Sequence, residues 1–365
     1  MTHPRIRHID DVLPAIDGRK DFIIAQKDGY SVIDYVYTLA DSFDCAVRAE
    51  CRGIKFGSDG TILARPLHKF FNINERADTQ AHLLDFSAPH TVMEKLDGSM
   101  IHAAMLDGEV VFMTRMGRTD VAIKAERHLP AVHDLCRGLL LGGATPIFEF
   151  TAPDNRIIVR YDESALTLLA VRDTVAGRYW PRKLLTGLGV PIVAVHDSAH
   201  ATGATFAAYA SAASGFEVFV VRFESGLWLK AKGEDYVLKH RAKDSILQEK
   251  NILRLVLAGG VDDVLPLLDA PDSAAVVAYR DALTIGIDGT AAKLRDLVAA
   301  NDNLSQKDFA LGPVAALPGA MRGLAFAVRN GAEPGAAVRA FLEEKSTSQA
   351  RVDELRELHG ATWVI

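Results

Sequence analysis

The chain has 365 residues, of which 49% are hydrophobic and 24% are charged, and its formal net charge is −6. This length allows two domains with a sizeable core, and the charge excludes a protein coated in cations for non-specific nucleic-acid binding. Cys45, Cys51 and Cys136 lack metal-ligand spacing, so they are expected to be free thiols. Aspartates interrupt the N-terminal region and no apolar run reaches membrane-spanning length, so a cytoplasmic protein without membrane contact is expected.

Strand patterns dominate the first two-thirds of the chain, where β-branched and aromatic residues lie between turn-forming residues. Two hairpins are expected, one around Ser58-Asp59-Gly60 and one around Asp107-Gly108, because Asp-Gly favours tight turns. The predicted strands are 45–56, 61–67, 91–96, 100–106, 109–115, 146–151, 156–161, 166–172, 216–223 and 227–232.

Helical periodicity is limited in that part and dominates near the C-terminus. It covers 201–213 and also 119–141, where Pro130 must kink or divide the helix. The predicted C-terminal helices are 245–258, 261–269, 273–299, 318–329, 334–345 and 348–359. The expected class is α+β, with a catalytic domain of antiparallel sheets and helices at 1–244 and an all-α domain at 245–365.

The sharpest short motif is E-K-L-D-G at residues 94–98. It places Lys95 at the end of a strand and turns the chain immediately afterwards at Asp97-Gly98, so the amine is held in position. A deprotonated lysine amine can attack the α-phosphate of a nucleotide, and nearby cations favour that form. The motif alone also occurs by chance in ordinary turns.

Residues of matching chemistry follow downstream in the chain. Glu149 lies in a strand between two phenylalanines, and Glu217 begins an apolar strand. Lys230 and Lys232 alternate, so both face one side of a strand. Each could be an ordinary solvent-facing residue. Together they supply the carboxylates and cations that phosphoryl transfer uses, which favours a catalytic interpretation.

The order E-K-x-D-G, F-E-F, E-x-F-V-V and L-K-A-K resembles the nucleotidyltransferase motifs of ATP-dependent ligases and capping enzymes. Residues 50–75 and 148–161 are more specific and resemble the RNA ligase 1 family, the phage-type tRNA-repair ligases. The resemblance implies an ATP-grasp-like nucleotidyltransferase fold for the N-terminal domain. For 245–365 it implies a role in RNA specificity, and stabilisation of the catalytic unit or dimerisation is the alternative.

The resemblance also implies a role for each matching residue. Lys95 would accept AMP from ATP, and Lys230 and Lys232 would contact the α-phosphate. Metal binding would involve Glu217, whereas Asp97 would anchor either a metal-bound water or the Lys95 loop. The remaining implied ATP-binding residues are Arg52 and Lys69 at the triphosphate, Glu149 at the ribose, Glu94 beside the purine, and Phe148. Either Arg115 or Arg118 would contact a phosphate.

The implied activity is ATP-dependent ligation of RNA 5′-phosphate and 3′-hydroxyl ends through lysine–AMP and RNA–adenylate intermediates. Mg²⁺ is the expected metal, with Mn²⁺ as a substitute, held by carboxylates, water and phosphate oxygens. Nicked tRNA is the expected RNA. A separate kinase and phosphatase would heal the ends, because the chain has no P-loop motif.

Three alternatives compete with this hypothesis. A catalytically silent RNA-end-binding protein would lack Lys95 or Glu217, and a Schiff-base enzyme would not need the downstream motifs. DNA ligases and capping enzymes usually carry an OB-fold after L-K-A-K, whereas helices are predicted here. The basic cluster Lys239, His240, Arg241 and Lys243 either contacts RNA or caps the linker helix.

Overall fold

The computed structural model describes residues 3–197, 200, 202–212 and 218–364. The chain divides into two compact units, Met1–Val237 and Leu238–Ile365. The first combines sheets with helices, and the described residues of the second are helical. The mixed α+β class with antiparallel sheets and a helical C-terminal region is therefore confirmed. The assignment of catalysis to 1–244 and of RNA specificity to 245–365 stays a prediction.

Strands of the first unit form three sheets. Their strand order is β1-β2-β3-β4 in the first, β10-β9-β7-β8 in the second and β11-β6-β12-β13-β5 in the third. Adjacent strands pair antiparallel, except that β13 and β5 are parallel. The bounds are β1 Phe22–Lys27, β2 Tyr30–Tyr35, β3 Ile54–Gly57, β4 Ile62–Ala64, β5 Phe71–Asn72, β6 His90–Lys95, β7 Ser99–Leu106, β8 Glu109–Met113, β9 Ala144–Thr151, β10 Ala165–Asp173, β11 Val195–His196, β12 Val218–Phe223 and β13 Trp228–Lys232.

The described helices within the first unit span at most 13 residues, and the longest described helix of the second spans 31. Their bounds are α1 Leu13–Ile16, α2 Ala46–Glu50, α3 Asp120–Ala125, α4 Leu129–Leu141, α5 Arg182–Leu185, α6 Gly203–Ala212, α7 Glu234–Ile246, α8 Glu249–Leu257, α9 Val261–Val264, α10 Ala270–Ala300, α11 Gln306–Leu311, α12 Gly319–Arg329, α13 Pro334–Lys345 and α14 Gln349–Glu354. None of the described helices is both long enough and apolar enough to cross a bilayer.

Apolar side chains fill three layers around the second and third sheets. Between the two sheets lies a core that includes Met93 and Trp228 from the third sheet and Ile147 and Ala170 from the second. Helix α4 covers the outer face of the second sheet, and α6 covers the outer face of the third through Phe206. The layer between the sheets therefore forms the wall behind the predicted site.

The second unit is built around α10, which spans 31 residues. Asp269 caps its N-terminus by accepting a hydrogen bond from the Asp272 amide at 2.8 Å, and such a cap satisfies an otherwise unpaired helix amide. Helices α12 and α13 pack on its buried face. Arg356 is held to Glu249 of α8 by two contacts of 2.7 Å. Helix α11 was not predicted.

Two strand predictions were wrong. Residues 45–56 form α2 before β3, because Cys45 Sγ accepts a hydrogen bond from the Arg48 amide at 3.4 Å and caps the helix. Residues 156–161 form no strand, because two of their amides donate to the Asp97 carboxylate instead of to a neighbouring strand. The expected break at Pro130 is confirmed, since α4 begins beside it.

A buried ionic cluster joins four segments of the first unit. Glu50, at the end of α2, accepts hydrogen bonds from Arg172 on β10 at 2.6 Å and from Arg65 after β4 at 3.1 Å. His3 lies 3.4 Å from the same carboxylate. The pKa of Glu50 lies well below its usual range because these cations outweigh the cost of burial.

We expect Glu50→Gln to destabilise the first unit by about 3–5 kcal/mol, since it leaves two buried guanidinium groups without a counter-charge. Urea unfolding followed by tryptophan fluorescence measures this, with Trp363→Phe introduced so that Trp180 and Trp228 report. Glu109→Gln, at an exposed position, is the control. Equal unfolding midpoints for the Glu50 and Glu109 variants would contradict the assignment.

Candidate active site

Strand register places three lysines on one face of the third sheet. Lys95, at the end of β6, and Lys232, at the end of β13, both pair with Val218 of the central strand β12. Directly paired residues project from the same face, so the two lysines flank one point of the sheet roughly 10 Å apart. Lys230 lies two residues before Lys232 and shares that face.

The turn after Lys95 is fixed by the Asp97 carboxylate. Its Oδ2 accepts hydrogen bonds from the Ile158 and Val159 amides, both at 2.7 Å, and its Oδ1 accepts one from the Tyr236 hydroxyl at 2.8 Å. The Asp97 amide donates to the Tyr161 hydroxyl at 3.0 Å. Of the two roles that the sequence left open for Asp97, these contacts favour anchoring of the Lys95 loop.

Gly98 brings that turn against strand β9. A Cβ atom at this position would lie 2.3 Å from the carbonyl oxygen of Phe150, so only glycine fits without a backbone shift. The Gly98 amide donates to Glu149 Oε1 at 3.1 Å. The lysine turn of the third sheet and the F-E-F strand of the second are therefore in direct contact.

The residues around Glu149 divide between the two faces of β9. Glu149 faces the Lys95 turn and is 8% exposed. Phe148 points the other way into the core beneath α4, at 1% exposure, so its predicted contact with the nucleotide is not supported. Glu94 alternates with Lys95 and lies on the opposite sheet face, while its amide donates to the Ala194 carbonyl at 3.0 Å.

Further cations converge on Lys230. Burial, together with the positive charges of Arg52, Lys69 and Lys95, lowers its pKa to about 7. Arg52 reaches the Leu67 carbonyl and the Met100 sulfur at 3.4 and 3.5 Å. The structure thus brings four predicted site residues together. Arg52 and Lys69 are the residues predicted at the triphosphate, Lys95 is the predicted nucleophile, and Lys230 is predicted at the α-phosphate.

Lys69 is enclosed by aromatic rings. Its Nζ atom lies 4.9, 5.2 and 5.3 Å from the ring centres of Tyr35, Phe43 and Phe71. Ring faces carry partial negative charge, so they stabilise the ammonium without neutralising its full positive charge. Arg115 stacks on the outer side of the same cluster, 4.7 Å from the Tyr35 ring centre.

The family profile described as RNA ligase matches residues 50–247, which is more than half of the chain. Of the site residues described above, Tyr35 and Phe43 lie outside the matched range and the others lie within it. The chain belongs to this RNA ligase family.

Two curated relatives illustrate the similarity. The "Putative RNA ligase" of Thermovibrio ammonificans is 32% identical over 176 residues, covering 47% of this chain and 46% of that protein. The "RNA ligase 1" of bacteriophage TS2126 is 31% identical over 196 residues, covering 50% and 49%. The chain thus spans about half the length of the curated relatives it matches.

Among solved structures, an archaeal ATP-dependent RNA ligase is similar to this chain. The alignment covers 63% of this chain and 62% of the archaeal protein. The sequence identity is 18% and the TM-score is 0.45.

The two candidate arginines of this RNA ligase family member lie in different surroundings. Arg115 Nε is 2.8 Å from Asp34 Oδ2, and Asp34 also interacts with Arg52. A Cβ atom on Gly53 would lie 2.4 Å from the Arg115 carbonyl oxygen, so glycine beside Arg52 allows this close packing. Arg118 instead pairs with Glu126 at 2.9 Å.

A dedicated metal cage is not present in the described part of this RNA ligase family member, which contains no group of three His, Cys, Asp or Glu residues suited to a metal. Asp97 already uses both carboxylate oxygens within the protein. Glu217, the other predicted metal residue, lies outside the described residues. The donors that are described fit a metal held mainly by phosphate oxygens and water.

Sequence reasoning missed Tyr161, Tyr236 and Asp34. Tyr236 follows the L-K-A-K motif closely, yet its partner Asp97 is 139 positions away in sequence. Tyr161 ends a segment that was predicted as a strand, so its hydroxyl was not expected at the Lys95 turn. Only an alignment of related sequences could have signalled such long-range contacts.

We expect Lys230→Met to stabilise the ligand-free protein at neutral pH. The unfolded chain keeps the proton up to about pH 10.5, whereas the folded protein releases it near pH 7. Folding is therefore penalised fully below pH 7, and stability rises as the pH rises through this window. The gain at pH 7 should be roughly 2–4 kcal/mol after allowance for partial exposure.

Thermal unfolding at several pH values between 7 and 10 tests this expectation. The Lys230→Met protein should lose most of the rise in stability with pH. Lys27→Met removes the same charge from an exposed position and serves as the control. A pH dependence that stays as steep as that of the Lys27 variant would show that Lys230 is not a desolvated cation.

Proposed function

We propose that this chain is an ATP-dependent RNA ligase that joins 5′-phosphate and 3′-hydroxyl RNA ends, with Lys95 as the adenylylated residue. One observation carries the proposal: strand register places Lys95, Lys230 and Lys232 on one face of the third sheet, where the charges of Arg52 and Lys69 also act on Lys230. Several cations held this close together repel one another unless an anion binds, and the triphosphate of ATP supplies such an anion. Membership of the RNA ligase family and the names of the relatives support the same activity.

In the first step, the lone pair of Lys95 Nζ attacks the α-phosphorus of ATP. A nitrogen–phosphorus bond forms, the bond to pyrophosphate breaks, and pyrophosphate leaves with that electron pair while the amine loses a proton to solvent. Lys230 and Lys232 lie across β12 from Lys95 on the same sheet face, where they would stabilise charge on the α-phosphate. Arg52 and Lys69 would hold the leaving pyrophosphate.

The turn at Asp97 keeps the nucleophile in place during this step. Its three accepted hydrogen bonds fix the backbone that follows Lys95, and the Gly98 amide contact places Glu149 beside it. A carboxylate at Glu149 can accept hydrogen bonds from the ribose hydroxyls. Preorganisation of this kind lowers the barrier because little reorientation is needed.

Two later steps would seal the RNA. A 5′-phosphate oxygen of one RNA end attacks the phosphorus of the lysine adduct, which frees the lysine and forms RNA–adenylate. The 3′-hydroxyl of the other end then attacks the 5′-phosphorus, forms the phosphodiester, and releases AMP and a proton. Nicked tRNA is the proposed substrate, and a separate kinase and phosphatase would prepare its ends.

A divalent metal, Mg²⁺ or Mn²⁺, would supply charge neutralisation at the phosphates. Glu217 is the proposed protein ligand, on the strength of its place in the sequence motif. Asp97 would act by holding the Lys95 turn, since its oxygens are already engaged.

Labelling with ATP tests the first step. The protein incubated with α-³²P-ATP and Mg²⁺ should retain label after denaturation. Lys95→Arg should take up none, because a guanidinium keeps the charge but is a poor nucleophile. Lys27→Arg is the matched control at an exposed position. Intact mass must be measured in parallel, because a chain already carrying AMP would not take up label.

A wild-type protein with unmodified mass and no label would overturn the proposal and favour a silent RNA-end-binding protein. Label without sealing of 5′-phosphorylated RNA, but with sealing of nicked DNA, would assign it to the DNA ligases. Label in Lys95→Arg would place the nucleophile elsewhere.

We also expect Arg115, not Arg118, to contact a phosphate of ATP, because Arg115 shares the Asp34 site with Arg52. Arg115→Gln should reduce the rate of Lys95 labelling by about tenfold to a hundredfold, equivalent to the loss of one charge-assisted hydrogen bond. Arg118→Gln should change the rate less than threefold. Single-turnover labelling measures both, and the reverse ranking would assign the role to Arg118.

A further inference from the structure

A second opening lies within the first unit, away from the Lys95 turn. It is a cleft of about 1050 Å³ between the N-terminal residues, the turn after β10, α5 and the β12–β13 hairpin. Its charged lining residues are Arg5, Arg178, Arg182, Lys183, Arg222 and Glu224. Five cations against one carboxylate give the cleft a formal charge of +4, whereas the whole chain carries −6. Positive charge is therefore concentrated here.

Arg222 is the innermost cation of this cleft. Its guanidinium lies 5.5 Å from the ring centre of Tyr179 and 5.4 Å from that of Trp228. Its Nη2 atom donates to the Tyr179 carbonyl at 3.3 Å. These contacts hold one side of the guanidinium in place, and the other donors remain available to a ligand in the cleft.

Arg182 repeats this arrangement at the wall formed by α5. Its Nη2 atom donates to the Val193 carbonyl at 2.6 Å. Both arginines are half-buried, and neither forms an ion pair with any residue that the structure describes. Burial lowers the pKa of each guanidinium below its usual value, although both stay charged. Glu224 supplies some compensating charge to Arg222, and the remaining positive charge of these partly desolvated arginines is costly unless an anion binds.

The cleft and the Lys95 site share one face of the third sheet. Thr91, Arg222 and Trp228 form one cross-strand row, and Lys95, Val218 and Lys232 form another. The rows are four residues apart along each strand, which is about 13 Å at 3.3 Å per residue. The row between them consists of Met93, Val220 and Lys230, and the core around Met93, which also lines the cleft, separates the cleft from the Lys95 row.

We propose that this cleft binds backbone phosphates of the RNA substrate at a distance from the ends being joined, an inference that rests on the proposed ligase function. Arginine forks match phosphate oxygens in geometry and charge. A strand with its end at Lys95 must pass around the packed core to reach Arg222. It therefore needs more than the roughly four nucleotides that would cover 13 Å at about 3.4 Å each. The cleft consequently acts on long RNA only.

Direct binding of two RNA lengths to the full chain tests this inference. The probes are 5′-phosphorylated single strands of about 20 and about four nucleotides, the shorter one matching the rise over 13 Å. The variants are Arg182→Gln combined with Lys183→Gln, and separately Arg222→Gln. Arg137→Gln, which removes an exposed cation from α4 outside the cleft, is the matched control.

The double variant should bind the long RNA about tenfold more weakly than the control. The slope of the logarithm of the binding constant against the logarithm of the salt concentration should become shallower by about 0.7 for each lost phosphate contact. Affinity for the short RNA should change less than twofold. Long-RNA affinity equal to that of the control would overturn the inference. An equal loss for both lengths would also overturn it, because it would indicate a general effect on small anions.

Labelling of Lys95 with ATP is measured on every protein to show that the nucleotide site is folded. If Arg222→Gln does not fold, the double variant decides the result, since Lys183 is exposed and Arg182 Nη2 donates to a backbone carbonyl that remains in place. A wild-type protein that labels with ATP but binds no RNA would overturn this inference and leave the adenylyltransferase intact. Absence of labelling would count against the proposed function itself.

Discussion

The geometry of the candidate site depends on one buried carboxylate. Asp97 accepts hydrogen bonds from two amides of the segment after β9 and from the hydroxyl at the start of α7, and these donors come from parts of the chain that lie far apart in sequence. Because the side chain is 1% exposed, water cannot replace a lost donor. The Lys95 turn is therefore held by long-range contacts as well as by its local D-G sequence.

Stability and function oppose each other around Lys230. The ligand-free protein carries several cations at one sheet face, and the repulsion between their charges destabilises the folded state. Aromatic rings around Lys69 offset part of that repulsion without cancelling the charge. A carboxylate in their place would stabilise the empty site and compete with phosphate. The aromatic rings leave the positive charge in place, as the proposed nucleotide site requires.

Local sequence patterns predicted the elements of the candidate site, because strand alternation alone places Lys230 and Lys232 on one face and the Asp97-Gly98 turn follows Lys95. The same reasoning failed where tertiary contacts replace local ones. Residues 156–161 have a strand composition, yet their amides are used by Asp97. Cys45–Glu50 became a helix through a cap that composition does not signal. The choice between Arg115 and Arg118 depended on Asp34, which no spacing rule connects to either arginine.

Strand register explains how one sheet face can hold two separate cationic regions. Along β12, positions facing the second sheet alternate with positions facing α6. Successive cross-strand rows on the inner face are therefore two residues apart along each strand. The row between them consists of Met93, Val220 and Lys230, and its Met93 and Val220 side chains pack in the core with Ile147. This packed part of the middle row lies between the Lys232 row and the Arg222 cleft. Lys230, at the β13 end of the same row, therefore borders the core, and the other cations of this face lie in the rows on either side of it.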